Sequence, residues 1–146
     1  MQFDILLVDD NAADATAFTE ALQEVRPAAT VFWASSGEEA VAFLRQEGRF
    51  SEMAPVKLIV LDLNMPGLNG IQTLRLIKRI PAVNLLPVVI LSSSGDRGAI
   101  NSAYSSGASV FFPKLATFEQ YLDQVRSLAE HWLHHAELPS VAIQKR

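Results

Sequence analysis

Polar side chains that could do chemistry follow four of the five short apolar runs in this sequence. They are Asp9 and Asp10 after the first run, Asp62 after the third, Ser92 after the fourth and Lys114 after the fifth. Three carboxylates within about 4 Å would repel by about 4 kcal/mol per pair at an effective dielectric constant near 20. Mg²⁺ suits such a site, because it takes oxygen ligands and joins carboxylates to phosphate. The residues therefore predict phosphoryl transfer, with Asp62 as the nucleophile and Lys114 helping the phosphate approach.

Each of these residues also has a plain structural interpretation. Asp10 or Asn11 could cap the first helix, Asp62 and Ser92 could be ordinary loop residues, and a lone Lys114 is normally a solvated lysine. Their shared position favours chemistry, because ligands of open parallel sheets bind at the carboxyl ends of the strands.

Three histidines near the end of the last helix form a separate candidate cluster. His131, His134 and His135 have the spacing i, i+3, i+4, which would suit a metal site. A favourable interaction with the helix C-terminal dipole explains them more simply.

The elements that must position these residues can be read from hydrophobic spacing. Apolar runs occupy residues 3–8, 30–34, 56–61, 88–91 and 110–112, and the first, third and fourth are nearly unbroken, as in strands covered on both faces. Segments with helical spacing lie between and after them, and Thr117 with Gln120 predicts a capping box before the last. The alternation predicts an α/β three-layer sandwich with a parallel sheet.

Length, composition and charge narrow the class of protein. The chain has 146 residues, 12 Lys and Arg, 16 Asp and Glu, and no Cys, so a disulfide framework and thiolate zinc are excluded. We expect one domain at residues 1–135 and a C-terminal tail at 136–146. The acidic balance argues against nucleic acid, and the short apolar runs argue against a membrane span, so we expect a cytoplasmic protein.

The ordered set of motifs resembles the receiver domains of two-component response regulators, over residues 3–132. The residues that carry the resemblance are Asp9-Asp10, Asp62-Leu63-Asn64-Met65-Pro66-Gly67 with Gly70, Ser92, Phe111 and Lys114. The resemblance implies a flavodoxin-like receiver fold, with five parallel strands in the order 2-1-3-4-5 and five helices. It also implies a stand-alone receiver, since no output domain follows.

The resemblance implies a role for each residue of the acidic group. Asp62 would accept a phosphoryl group from a sensor histidine kinase. Asp9, Asp10 and Asp62 would hold Mg²⁺ together with the backbone carbonyl of Asn64. Lys114 would pair with the phosphoryl group. Beyond this self-phosphorylation and self-dephosphorylation, we expect no enzyme activity.

A conformational switch is also implied by the resemblance. Ser92 would move toward the phosphoryl oxygens, and Phe111 would turn inward behind it. This movement would remodel the face made by helix four, strand five and helix five. Asn64 and Ser94 would flank the path of the hydrolytic water.

The sequence departs from the family at two positions. A cis proline usually follows the lysine, whereas here Pro113 precedes Lys114 and Leu115 follows it. We hypothesise that the Phe112–Pro113 bond compensates as the cis isomer, since only X-Pro bonds adopt cis cheaply. Phe111 stands where tyrosine is also common, so its movement would depend on packing alone.

A weaker resemblance points to the regulators that partner bacterial phytochrome histidine kinases. It rests on the continuation of the last helix through Trp132 and on the apolar tail. Such relatives tend to dimerise. We therefore expect a homodimer through a surface that contains Tyr104, Phe112, Tyr121 and the C-terminal segment.

Two other functions stay open from the sequence alone. A haloacid dehalogenase-like aspartyl-phosphate phosphatase also uses Asp, Ser or Thr, and Lys, but it has a second Asp where this chain has Asn64. A flavodoxin-like carrier shares the sheet order, but Asp9 and Asp10 would repel the phosphate of its flavin.

Overall fold

Strands and helices alternate along the chain in a computed structural model that describes residues 3–53, 56–93, 95–135 and 138–139. The strands are β1 (Ile5–Val8), β2 (Val31–Ala34), β3 (Leu58–Leu61), β4 (Val88–Ser92) and β5 (Val110–Pro113). The helices are α1 (Ala12–Val25), α2 (Gly37–Leu44), α3 (Gly70–Lys78), α4 (Arg97–Ser105) and α5 (Phe118–Ala129). A 3₁₀ turn at Gly48–Phe50 follows α2, and a π-helical segment at Glu130–His135 continues α5.

The five strands form one parallel sheet in the order β2-β1-β3-β4-β5. The fold class is therefore confirmed, and so are the central positions of β1, β3 and β4, whose residues are all buried. Val8 is aligned with Leu61 across β1 and β3. Because the next residue on each strand is a carboxylate, the register brings Asp9 and Asp62 out of the sheet side by side.

Alternate side chains of the central strands point to opposite faces of the sheet and pack into two hydrophobic cores, one on each face. Ile5 and Leu7 of β1 pack with Phe18 of α1 and Val125 of α5. On the other face, the core joins side chains from β1, β3 and β4 to α2, α3 and α4, among them Leu6, Val8, Ile59, Phe43, Leu74 and Ala103. The predicted three layers follow from this division.

Polar side chains cap each helix of the sandwich at its N-terminus. The caps are Asn11, Ser36, Asn69, Asp96 and Thr117, each accepting a hydrogen bond from a backbone N–H of the first turn. The capping box of Thr117 and Gln120 is confirmed, and a second one joins Asn69 to Gln72. Because Asn11 caps α1, Asp10 is left for another role.

The end of the chain differs in one respect from the predicted pattern. The α-helical geometry of α5 ends at Ala129, and the wider turns of the π-helical segment carry Trp132 and Leu133, both of which pack against the core. The tail expected at residues 136–146 lies outside the described residues, apart from 138–139. Among the helices described, none has the length and apolar character needed to cross a membrane.

Candidate metal and phosphoryl-transfer site

Three carboxylates meet at the carboxyl edge of the sheet. Asp9, Asp10 and Asp62 each offer one oxygen, and these oxygens lie within 4.8 Å of one another. Asp9 and Asp62 are buried, with 3% and 6% exposure, whereas Asp10 is exposed. The structure therefore brings together all three acidic residues that the sequence singled out, with one open side toward solvent.

Asp9 is fixed by its backbone as well as by its side chain. Its carbonyl accepts a hydrogen bond of 2.6 Å from the Trp33 indole, and its Oδ1 accepts one of 2.9 Å from the Asn11 backbone N–H. Burial raises the pKa of Asp9, although the Asn11 N–H and the Lys114 ammonium oppose that shift. The carboxylate is thus costly to keep charged without a further positive group.

The loop after β3 holds Asp62 and depends on two glycines. The Asp62 side chain accepts a hydrogen bond of 3.2 Å from the Asn64 backbone N–H. Gly67 has φ +69°, a conformation that favours glycine. At Gly70 a Cβ would lie 2.3 Å from Leu63 Cα and 2.6 Å from the Asp62 carbonyl oxygen. Only glycine there lets α3 begin directly against the loop that carries the nucleophile.

Lys114 lies among carboxylates and is 13% exposed at its side chain. Its Nζ is 3.0 Å from Asp9 Oδ2, 2.9 Å from Asp14 Oδ2 and 3.8 Å from Asp62 Oδ2. Burial acts to lower the pKa of Lys114, but the hydrogen bond to Asp14 and the charges of Asp9 and Asp62 outweigh it and raise the pKa. The ammonium is therefore charged at neutral pH and directed into the site.

The hypothesis of a cis Phe112–Pro113 bond is wrong, because this bond is trans. The lysine reaches the site by another route. Register pairing of β4 with β5 extends to Pro113, and the Lys114 backbone N–H donates to the Ser92 carbonyl at 2.9 Å. Gln124 of α5 donates to the Pro113 carbonyl at 2.6 Å and accepts from the Leu115 N–H at 3.2 Å. These contacts aim the lysine without a cis bond.

The two residues assigned to a switch, Ser92 and Phe111, are both buried. Ser92 ends β4 and is fully buried, and Phe111 is 8% exposed and belongs to the core on the α4 side. The Phe111 backbone N–H donates to the Tyr104 hydroxyl at 3.1 Å. The ring expected to turn inward is thus already inside the protein.

Two further residues expected near the site have different outcomes. The Asn64 amide donates to the Ser93 hydroxyl at 3.3 Å, which links the loops after β3 and β4. Ser94 lies outside the described residues.

Part of the expected dimer surface is not at the surface. Tyr121 is 9% exposed and packs in the core beneath α1 and α5, so its assignment to that surface is wrong. The helical periodicity of α5 explains this, since Tyr121 and Val125 lie on the same buried face about one turn apart. Tyr104 is exposed and Phe112 is partly buried, so both remain available.

The sequence did not reveal three residues that contact this site, which are Asp14, Trp33 and Gln124. An acidic residue in the first turn of a helix is commonly explained by the helix dipole. The sequence therefore offers no reason to expect a contact between Asp14 and Lys114. Trp33 lies in an edge strand and Gln124 in a helix, where nothing in their spacing points to a loop or to the Asp9 carbonyl.

Comparison with known proteins identifies relatives over nearly the whole chain. The family described as "Response regulator receiver domain" matches residues 5–126. Response regulator Rcp1 of Synechocystis sp. is 29% identical over 136 residues, which cover 93% of this chain and 92% of the relative.

The solved structures that are similar to this chain in fold and sequence include two of response regulators. The phosphorylated cyanobacterial phytochrome response regulator RcpA superimposes with a TM-score of 0.90 and 36% identity. The superposition covers 96% of this chain and 100% of RcpA. The Mn²⁺-bound form of Rcp1 superimposes with a TM-score of 0.88 and 29% identity, covering 94% of this chain and 99% of the other.

Proposed function

Because the chain belongs to the response regulator receiver family, we propose that Asp62 accepts a phosphoryl group from a sensor histidine kinase. The observation that carries this proposal is the position of its carboxylate, which shares one edge of the sheet with Asp9, Asp10 and the Lys114 ammonium. The phosphatase alternative is not favoured, since Asn64 replaces its second acid and the relatives are receivers.

The chemistry required of the chain is a single displacement at phosphorus. A carboxylate oxygen of Asp62 attacks the phosphorus, the bond from phosphorus to the donor's leaving group breaks, and its electron pair departs with that group. Lys114 offsets the repulsion between the carboxylate and the incoming phosphoryl oxygens. The product is a mixed anhydride that carries about −1.5 to −2 charge.

Residues Asp9, Asp10 and Asp62, with the backbone carbonyl of Asn64, would hold a divalent cation, which we propose to be Mg²⁺. The donor set fits, because it consists of hard oxygen ligands. Three carboxylates within 4.8 Å also have only one ammonium nearby among the described residues. A relative crystallised with Mn²⁺ supports the same class of ion. The bound ion would supply positive charge to the phosphoryl oxygens.

The proposed output is a change in population at the face formed by α4, β5 and α5. A hydrogen bond from the Ser92 hydroxyl to the phosphoryl group would draw the loop after β4 toward Asp62. Phe111 packs beside α4, so its inward position would be favoured further in the phosphorylated form.

The test of the proposed function is phosphorylation by acetyl phosphate with Mg²⁺, followed by intact mass spectrometry. We expect an acid-stable, base-labile adduct on the wild type and none on Asp62→Asn. Asp123→Asn, which removes an exposed carboxylate of α5, should be labelled like the wild type. Equal labelling of the Asp62 and Asp123 variants would refute the assignment.

We further propose a kinase of the bacterial phytochrome type as the donor, in the cytoplasm. Support comes from the relative described as a cyanobacterial phytochrome response regulator, which is 36% identical to this chain. Phosphotransfer from a panel of purified histidine kinases tests the proposal. It requires that a phytochrome kinase transfer its phosphoryl group faster than kinases with other sensors, and equal rates would contradict it.

We also propose a homodimer through the groove between β5 and the end of α5. The groove has a volume of about 500 Å³ and is lined by Val110, Phe112, Leu128, His131 and Trp132, with two serines. Sedimentation across micromolar concentrations should show a dimer that weakens in His131→Asp, which places a charge at the exposed rim. Glu20→Gln, on the exposed side of α1, is the control. A monomer at every concentration would refute the proposal.

A further inference from the structure

Asp14 contacts the lysine of the site without belonging to the acidic cluster. It lies in the first turn of α1, where its backbone N–H is capped by the Asn11 side chain at 3.0 Å. Its Oδ2 accepts a hydrogen bond of 2.9 Å from Lys114 Nζ, and 44% of its side chain is exposed. Asp14 therefore reaches the ammonium from the first turn of α1 while its side chain stays partly open to solvent.

The lysine is shared unequally among its three carboxylates. An ammonium has three N–H groups, and the distances of 2.9 and 3.0 Å show that Asp14 and Asp9 each accept one. The distance of 3.8 Å to Asp62 is an ion pair beyond hydrogen-bond length. The ammonium is thus hydrogen-bonded to Asp14 and Asp9, whereas its contact with Asp62, the proposed phosphoryl acceptor, is an ion pair without a hydrogen bond.

From this geometry we propose that Asp14 is a positioning residue, which retains Lys114 near α1 and competes for its ammonium with the phosphoryl group on Asp62. The inference rests on the proposed function of Asp62. It adds a residue that sets how strongly the phosphoryl group is bound.

Exposure decides which contact yields when the phosphoryl group arrives. Asp9 is 3% exposed, so a lost ion pair there would leave a desolvated carboxylate without a partner. Asp14 is about half exposed, and water can replace the ammonium at little cost. The Asp14 contact is the one that lengthens, while the contact to Asp9 is kept.

The test is the affinity for beryllofluoride, a phosphoryl analogue, in the presence of Mg²⁺. Tryptophan fluorescence reports binding, because the Trp33 indole is hydrogen-bonded to the Asp9 carbonyl. Asp14→Asn keeps the size and an acceptor oxygen but loses the charge, and we expect it to bind roughly fivefold more tightly. Glu20→Gln removes an exposed charge from the same helix and should bind like the wild type. Unchanged or weaker binding by Asp14→Asn overturns the proposal.

A double-mutant cycle separates competition for Lys114 from a general effect of charge. In a Lys114→Met background, Asp14→Asn should no longer change the affinity. A persistent fivefold gain would overturn the inference. If wild type and Asp62→Asn bind beryllofluoride equally, the proposed function fails. If only the wild type binds and Asp14→Asn shows no gain, the inference alone fails.

Discussion

Replacing Lys114 by methionine removes the one cation that the described residues place among the carboxylates of the site. Methionine keeps most of the length of the side chain, so packing along the stem is largely preserved. The charge that offsets Asp9 and Asp62 is lost. The raised pKa of Lys114 means that its stabilising contribution is fully present at pH 7 and is lost only as the pH rises through that raised value.

The size of the effect follows from distance and burial. At 3.0 Å, one pair of charges interacts by about 5 kcal/mol at an effective dielectric constant near 20. Desolvation of the lysine offsets part of this, and the half-exposed Asp14 adds less than about 1 kcal/mol. Breaking a buried pair costs about 3–5 kcal/mol, so we expect the free energy of unfolding to fall by about 3 kcal/mol.

Urea denaturation without divalent metal at pH 7 measures this loss. The same experiment with Mg²⁺ measures how much of the free energy of unfolding the ion restores. Mg²⁺ should stabilise Lys114→Met more than the wild type, because the ion then replaces the only nearby cation described. Lowering the pH should shrink the deficit, since Asp9, whose pKa burial raises, takes up a proton and no longer needs a neighbouring cation.

The matched control is Lys57→Met, which breaks an exposed pair with Asp4 at 3.3 Å. Its loss should stay below about 1 kcal/mol and should not respond to Mg²⁺. Equal losses for the two lysines, or equal stabilisation of wild type and Lys114→Met by Mg²⁺, would refute the electrostatic reasoning.

Three further predictions concern the surroundings of the site. Gly70→Ala, whose Cβ would collide with the Leu63 and Asp62 backbone, should lower the free energy of unfolding by on the order of 3 kcal/mol in urea and slow labelling by acetyl phosphate. Gly95→Ala, whose Cβ would meet only Pro113 Cβ at 3.8 Å among the described residues, should change both little. Tyr104→Phe should lose about 1 kcal/mol and speed hydrogen exchange at the Phe111 amide, which donates to the lost hydroxyl. Burial raises the pKa of Asp9 above 3.8, so keeping this carboxylate charged lowers the free energy of unfolding at pH values above the raised pKa. This penalty disappears as the pH falls through the raised pKa and Asp9 takes up a proton. Divalent-ion affinity should therefore weaken over the same interval, as titration by calorimetry would show.

The fold could be predicted from the sequence because its signals are local and agree with one another. The unbroken apolar runs predicted β1, β3 and β4 as central strands, and the sheet order confirms this. The start of α5 was predictable from Thr117 and Gln120, since a capping box depends on residues three apart. The change to π-helical geometry after Ala129 was not, because Trp132 and Leu133 have a spacing that also suits an α-helix.

The candidate site was predictable only where strand ends determine it. The places of Asp9, Asp62 and Lys114 follow from the rule that parallel strands end at one edge. The contact of Asp14 with Lys114 joins residues 100 positions apart in the chain and depends on the packing of α1 beside α5. The trans Phe112–Pro113 bond shows that a residue order unusual for the family is accommodated by the hydrogen bonds of Gln124 instead.

The Tyr104 hydroxyl that accepts the Phe111 amide has a consequence for how this molecule meets others. β5 is an edge of the sheet, and exposed edges invite a foreign strand to extend the ladder, as in domain swapping and amyloid growth. With the Phe111 donor occupied in the middle of the strand, an incoming strand would first have to displace a phenol. We therefore expect partners to bind this side of the molecule through side-chain contacts. The occupied Phe111 donor disfavours aggregation by addition of a foreign strand to β5.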